Sequence, residues 1–292
     1  MDKKETMMKE IEITEEQRIR IRKIQVEMMK EVHKICERHK IKYVLGYGSM
    51  LGAVRHKGFI PWDDDADILM LRRDYRKFVR ACQKELPGKY FLQDECSDEY
   101  YLWGYSKLRN MNTVYVRSGQ EHIPYKNGVF IDIFPLDNVP RFLPFRILQD
   151  GYCFVLRKML WAKVGKNTEE NPLVRLIYTI LSPIPKNVIY KLRNIMVDRG
   201  NKVSSSVRCL LFTAPGKHWN KAGNNLYSRY GFKREWILER EKCEFEGEFL
   251  WGTQNYDECL TYLYGDYMKL PPEEQRVAHA PVSKLELKKE GL

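Results

Sequence analysis

Apolar positions recur every three to four residues from Ile21 through Ile24, Met28, Val32 and Ile35. The repeat predicts an amphipathic helix running to about His39. Thr14-Glu15-Glu16-Gln17 has the form of a capping box and sets its start. The period then changes. IKYVLGYGS (41–49) reads as a short strand ending in a glycine turn, and SMLGAVRH (49–56) as a short helix. DADILML (65–71) and GVFIDIF (128–134) alternate as strands do, with a helix over RRDYRKFVRACQKEL (72–86) after the first. KYFLQD (89–94), YYLWGYSKLRN (100–110) and NTVYVRS (112–118) add three strand-like runs. Helices mixed with closely spaced strands over residues 14–138 predict an α+β core, a mixed sheet with flanking helices.

The texture changes after Asp137. Residues 139–203 are helical in pattern, aromatic and basic, broken at Pro172, Pro183 and Pro185, with TEEN (168–171) as a loop. Residues 201–217 turn from small and polar to apolar and are expected to lead back to the core. Residues 204–292 form an aromatic-rich segment of turns and helices, expected to pack back on it.

Charge sharpens this division. The net charge is +11, and residues 141–203 hold twelve lysines and arginines against four acids. Leu148, Tyr152, Val155 and Met159 form an apolar stripe, with Arg157, Lys158 and Lys163 off it. Two readings stay open for this lobe: a peripheral surface on the inner face of a membrane, or a helical cover for the sheet. The basic residues alternate with apolar ones in no nucleic-acid motif, so no nucleic-acid partner is expected. The N-terminus is charged and no window is apolar enough to span a bilayer, so a cytoplasmic location is expected. Seven cysteines without a CxxC pair suggest a reducing compartment. His33, Cys36 and His39 share a helix stripe, but without a second ligand cluster they read as a helix face.

The candidate chemistry lies in IPWDDDADILML (60–71), where four carboxylates precede a buried-strand pattern. On a strand Asp65 and Asp67 point to one face, while Ala66, Ile68 and Met70 point to the core. Two neighbouring carboxylates suit a divalent cation, Mg²⁺ or Mn²⁺, with phosphate oxygens as further ligands. Asp132 is a lone acid inside an apolar strand and can join them if the two strands are neighbours. It could hold metal or take a proton from an attacking hydroxyl. Asp63 and Asp64 fit either a functional or a solvated loop.

Upstream, the turn at Gly46-Tyr47-Gly48-Ser49 offers backbone N–H groups and a hydroxyl for phosphate, with Gly48 and Ser49 as the candidate contacts. Lys107 and Arg109 share a strand face and could clamp phosphates. Arg55 and His56 could reach phosphate, or Arg55 could brace the loop through Asp63 or Asp64. Trp62, Trp103, Tyr105 and Trp251 are candidates for an aromatic box around a quaternary ammonium. A Gly-Ser turn, then Asp-x-Asp, then a third strand aspartate is the arrangement of nucleotidyltransferase-type folds.

GYGSMLGAVRHKGFIPWDDDADI closely resembles the LicD family signature. KLRNMNT (107–113), GVFIDIFPLD (128–137) and YGDYMKLPPEEQR (264–276) extend the resemblance over about residues 15–280. It implies a nucleotidyltransferase-like fold and transfer of a phospho-alcohol from a CDP-activated donor, usually CDP-choline, to a glycan or lipid-linked glycan such as a teichoic acid precursor. CMP would leave. Asp65 and Asp67 match the family's metal-binding Asp-x-Asp, and Asp132 its later acidic strand residue. Ala66 stands where Ile or Val is commoner, a change of packing rather than chemistry. Two other functions compete: a nucleotide-sugar glycosyltransferase using Asp-x-Asp, and a non-catalytic membrane-associated nucleotide-binding module.

Overall fold

The structure, a computed structural model, describes residues 10–200, 206–212, 231–276 and 281–287. Lys202 and most of the expected return segment 201–217 lie outside the described residues. Helix α1 (Glu15–Arg38) begins where the capping box places it. Gln17 N donates to Thr14 Oγ1 at 3.2 Å, and Thr14 N donates to Gln17 Oε1 at 2.9 Å. There follow β1 (Val44–Leu45), α2 (Tyr47–His56), β2 (Asp67–Leu71), α3 (Arg72–Glu85), β3 (Tyr90–Gln93), β4 (Ser106–Asn110), β5 (Thr113–Arg117) and β6 (Phe130–Asn138). Next come α4 (Leu143–Thr168), α5 (Pro172–Leu181), α6 (Lys186–Gly200), β7 (Ser206–Arg208), β8 (Phe232–Lys233) and α7 (Glu235–Leu238). The described chain closes with β9 (Arg240–Phe245), β10 (Glu248–Thr253), α8 (Tyr256–Tyr264) and β11 (Val282–Leu287).

The fold is α+β, with a mixed central sheet in the order β1-β2-β6-β4-β3, to which β7 and β8 attach at the end of β6. Among the described strands only β2 and β6 pair in parallel. Both faces of the sheet are covered, which is why β2 reads as an unbroken apolar run. Ile68 and Met70 join the core under α1 and α3, while Leu69 and Leu71 join Phe134, Leu136, Trp236 and Leu263 on the other side. The alternation read from the sequence therefore holds residue by residue.

Four features differ from the sequence reading. β6 runs on through Pro135 to Asn138. Its pairing with β4 ends at Ile133 and its pairing with β7 starts at Asp137, so on that edge no partner needs the missing proline N–H. β4 starts only at Ser106, because residues 101–105 turn aside into an aromatic cluster with Tyr125 and Trp161. The C-terminal segment carries a hairpin, β9–β10, turning at Glu246 and Gly247, both at positive φ (51° and 78°). In α4, Tyr152 and Met159 pack inward beside Leu156 and Leu160, while Leu148 and Val155 are exposed together with Ile147 and Phe154. The exposed stripe is thus rotated from the expected one.

The helices of residues 143–200 rest on the sheet through ion pairs as well as apolar contacts. Arg193 of α6 pairs with Glu95 beyond β3, and Arg208 of β7 with Asp150 of α4 at 3.3 Å. His33 and His39 point to Tyr43 and Glu85 respectively, and Cys36 is buried, so that stripe is a packed helix face. All seven cysteines are free thiols.

Candidate active site

The parallel register sets Asp67 directly opposite Asp132, and the antiparallel register of β4 sets Lys107 opposite Asp132 on its other side. Three charged side chains thus form one row across β2, β6 and β4. Asp65, just before β2, completes a cluster in which carboxylate oxygens of Asp65, Asp67 and Asp132 lie within 4.8 Å of one another. Asp63, Asp64 and Asp65 form a second such group.

The turn before α2 holds this row in place. Asp67 N donates to Ser49 Oγ at 2.8 Å, and Gly46 N donates to Asp67 O at 2.9 Å. Ser49 is buried beneath Asp67, and its oxygen is engaged with this backbone. At Gly48 a Cβ would stand 2.4 Å from Asp63 Oδ2, so only glycine lets the loop carboxylate lie against the helix start. Tyr47 sits at φ 42°, a conformation side chains seldom adopt, and directs its ring onto Phe134 and Phe232. Arg22 of α1 pins the loop, donating to the carbonyls of Ile60, Pro61 and Asp63.

Above the row opens a cleft of about 840 Å³, within the range of small-molecule sites. Gly48, Arg55, Asp63, Asp65, Asp67 and Asp132 line it. Arg117 lines it too, with Nη2 3.8 Å from Asp65 Oδ2. Beside the row an aromatic wall of Tyr47, Tyr105, Phe134 and Phe212 lines it, with Phe134 two residues along β6 from Asp132. Residues 264–275 close the rim, with Tyr264, Tyr267 and Gln275 among its walls.

The other expected contacts are distributed differently. Arg55 donates to the Tyr267 carbonyl at 2.8 Å and to the His56 ring at 2.9 Å, so it braces the rim, while Arg22 holds the acidic loop. His56 is held by Arg55 and is not among the residues lining the cleft. Lys107 is buried, bound to Asp132 Oδ1 and 3.6 Å from the centroid of the Phe130 ring. Arg109 is buried and serves structure, donating to Gln93 Oε1 and to the Gly128 carbonyl; it does not line the cleft. Of the aromatic-box candidates, Trp62 and Tyr105 line the cleft. Trp103 packs on Tyr101 and Trp161, and Trp251 bonds Glu37 under Arg240.

Burial and mutual repulsion dominate the electrostatics of the cluster. Burial pushes the Asp67 carboxyl well above its ordinary range, and Asp65, Asp132 and Asp63 push it further, against the pull of Lys107. Burial pushes Lys107 down, with Asp132 opposing. Burial also works against the charge of Arg117, but Asp132, Tyr105, Asp64 and Asp65 outweigh it and the net shift is upward. A hard divalent ion among the three carboxylates fits this donor set, which offers oxygen ligands only and a concentrated negative charge.

Comparison with known proteins gives four findings. Residues 40–146 match the family described as LicD/FKTN/FKRP, nucleotidyltransferase domain. Lipopolysaccharide cholinephosphotransferase LicD of Haemophilus influenzae is 31% identical over 255 residues, 85% of this chain and 89% of that protein. An uncharacterised protein of Rickettsia prowazekii is 46% identical over 48 residues, 16% of this chain and 18% of its own. Among solved structures, the Megavirus polyadenylate synthase aligns at 12% identity over 72% of this chain and 40% of that one, with a TM-score of 0.21, too low to carry an argument.

Proposed function

The chain belongs to the LicD family and is therefore a transferase, and from that premise we propose that it moves phosphocholine from CDP-choline to a hydroxyl of a lipopolysaccharide or related cell-surface glycan precursor, releasing CMP. The observation that carries this reading is the cluster Asp65, Asp67 and Asp132, braced from beneath by Lys107, in a cleft that also presents an aromatic wall.

Asp65 and Asp67 would hold Mg²⁺ or Mn²⁺, which when bound supplies positive charge for the diphosphate oxygens, with Asp132 beside it. Arg117 would take a phosphate oxygen on the same wall. Lys107 occupies Oδ1 of Asp132. The second oxygen is then the one to orient the acceptor hydroxyl and take its proton as the new O–P bond forms and the bond to CMP breaks. Tyr47, Tyr105, Phe134 and Phe212 offer ring faces to a quaternary ammonium, which donates no hydrogen bonds. Phosphoryl transfer depends mainly on alignment and charge neutralisation, and a rigid sheet floor provides alignment.

The test is to incubate the purified protein with CDP-choline, Mg²⁺ and a glycan acceptor and to follow CMP. CMP release should require both cation and acceptor, and Asp65→Ala and Asp67→Ala should abolish it in folded protein. Near-full rates in either variant, or consumption of a nucleotide sugar in place of CDP-choline, would overturn the reading.

A further inference from the structure

The helical lobe carries an apolar face with no partner among the described residues. Asn171 Oδ1 caps α5 by accepting from Leu173 N and Val174 N, and Pro172 opens the helix. The inward residue of α5 is Tyr178. Its ring packs where a Cβ on Gly165 of α4 would come within 2.4 Å, and its hydroxyl accepts from Lys158 at 2.9 Å. That single anchor leaves Leu173, Leu176, Ile177 and Ile180 between 54% and 72% exposed, at i, i+3, i+4 and i+7. On α4, Ile147, Leu148, Phe154 and Val155 repeat the pattern along one exposed stripe. Isolated exposed leucines need no explanation; two adjoining helices that each expose a continuous apolar row do.

The charges of the same lobe indicate what covers this face. Lys158, Lys163, Lys166 and Arg175 are exposed on these two helices. Of the four acids between residues 139 and 200, Asp150 is buried and paired with Arg208, Asp198 is paired with Arg76, and Glu169 and Glu170 sit in the turn between the two helices, so the cations still outnumber the acids on this lobe. A second copy docked through this face would set cation against cation across a two-fold axis. An anionic lipid surface satisfies both features at once, with aliphatic side chains below the headgroups and lysines and arginines among them. No helix among the described residues is long and apolar enough to cross a membrane.

We propose that α5 and the exposed stripe of α4 dock the protein on the surface of an anionic bilayer, α5 lying in the plane of the interface. The docking stands independently of the phosphotransfer reading. It gives that reaction a location, since α4 also reaches the cleft: Arg157 donates to the carbonyl of Phe212, a residue of the aromatic wall.

The test is co-sedimentation of the whole protein with vesicles of phosphatidylcholine alone or mixed with phosphatidylglycerol. The protein should partition onto the mixed vesicles, less so in high salt. Ile177→Glu with Ile180→Glu, and separately Lys163→Glu with Lys166→Glu, should each lower partitioning roughly tenfold or more. Both variants should keep the parent melting temperature and CMP release with a soluble acceptor, because these side chains face away from the cleft and core. Protein that stays in the supernatant, variants that partition like the parent, or a dimer that dissolves in Ile177→Glu with Ile180→Glu overturns the proposal. Because all four positions are exposed, the charge-reversal variant decides the matter should the apolar one fail to fold. Loss of CMP release with vesicle binding intact would count against the phosphotransfer reading alone.

Discussion

Lys107 donates to Oδ1 of Asp132 across the β4–β6 register, with both side chains buried. This pair explains how an aspartate survives in the strand Phe130–Phe134, whose other members are apolar. Breaking a buried pair by removing one partner strands a charge and costs about 3–5 kcal/mol. Lys107→Met should therefore destabilise the protein by an amount in that range, read from urea melts in chelator. Lys107→Met with Asp132→Leu should recover most of the loss while abolishing turnover. A single variant as stable as the parent would show that the pair does not hold Asp132.

Asp67 carries a heavy electrostatic burden, from burial and then from Asp65, Asp132 and Asp63. Neutralising it relieves that burden. Asp67→Asn in chelator should melt at or above the parent temperature. Mg²⁺ or Mn²⁺ should raise the melting temperature of the parent, by about 2.7 kcal/mol of stability at a hundred times the dissociation constant, and leave the variant unmoved. A parent protein indifferent to both ions would remove the metal from the mechanism.

Ser49 lies under the cluster and accepts from Asp67 N. Ser49→Ala leaves that buried N–H without its partner, at about 1–3 kcal/mol. The result expected in steady-state kinetics is a lower kcat with a nearly unchanged KM for the donor, since the serine positions Asp67. A raised donor KM at constant kcat would instead make Ser49 a phosphate contact.

The legible parts of the site are those fixed by local alternation. Ile68 and Met70 fix the face of Asp67, and Ile131 and Ile133 that of Asp132. The capping box at Thr14 and the helix after Leu71 follow from local chemistry in the same way. Strand partners do not. That β2 and β6 run parallel with Asp67 facing Asp132 depends on the whole sheet. Arg109 had the right spacing to accompany Lys107, yet the adjacent strand offers Gln93 and its guanidinium is spent there. Arg117 reaches the site through tertiary packing alone: β5 pairs with β11, more than 160 residues away, and that packing brings it to Asp65. Its one local signal is the alternation of Tyr115 and Arg117 on a common face. The rim formed by residues 264–275 was visible as a motif, but without the contact from Arg55 to the Tyr267 carbonyl it had no role.

The two arginines make a contrast that can be measured. Arg117→Gln should raise the donor KM roughly tenfold, with little change in stability, because it removes a charged hydrogen-bond donor from the cleft wall. Arg109→Gln should lower stability instead, because the carbonyl of Gly128 and Gln93 Oε1 lose a buried donor. The reverse assignment of effects would place Arg109, as its spacing suggested, on the phosphates.

Phe212 forms part of the aromatic wall, with its ring 4.9 Å from that of Phe134, 5.6 Å from Tyr105 and 5.8 Å from Tyr47. Its carbonyl accepts from Arg157 at 2.9 Å and from Arg208 at 3.0 Å, so the backbone that carries the ring is held from two elements. A quaternary ammonium against such a wall gains about 0.5–2 kcal/mol per well-placed ring. A primary ammonium keeps the option of hydrogen bonds elsewhere and depends less on the ring. Phe212→Ala should therefore raise KM for CDP-choline several-fold, on the order of tenfold at the upper end of that range, and raise it less for CDP-ethanolamine. Equal losses for the two donors would mean that the ring shapes the cleft without recognising the choline head group.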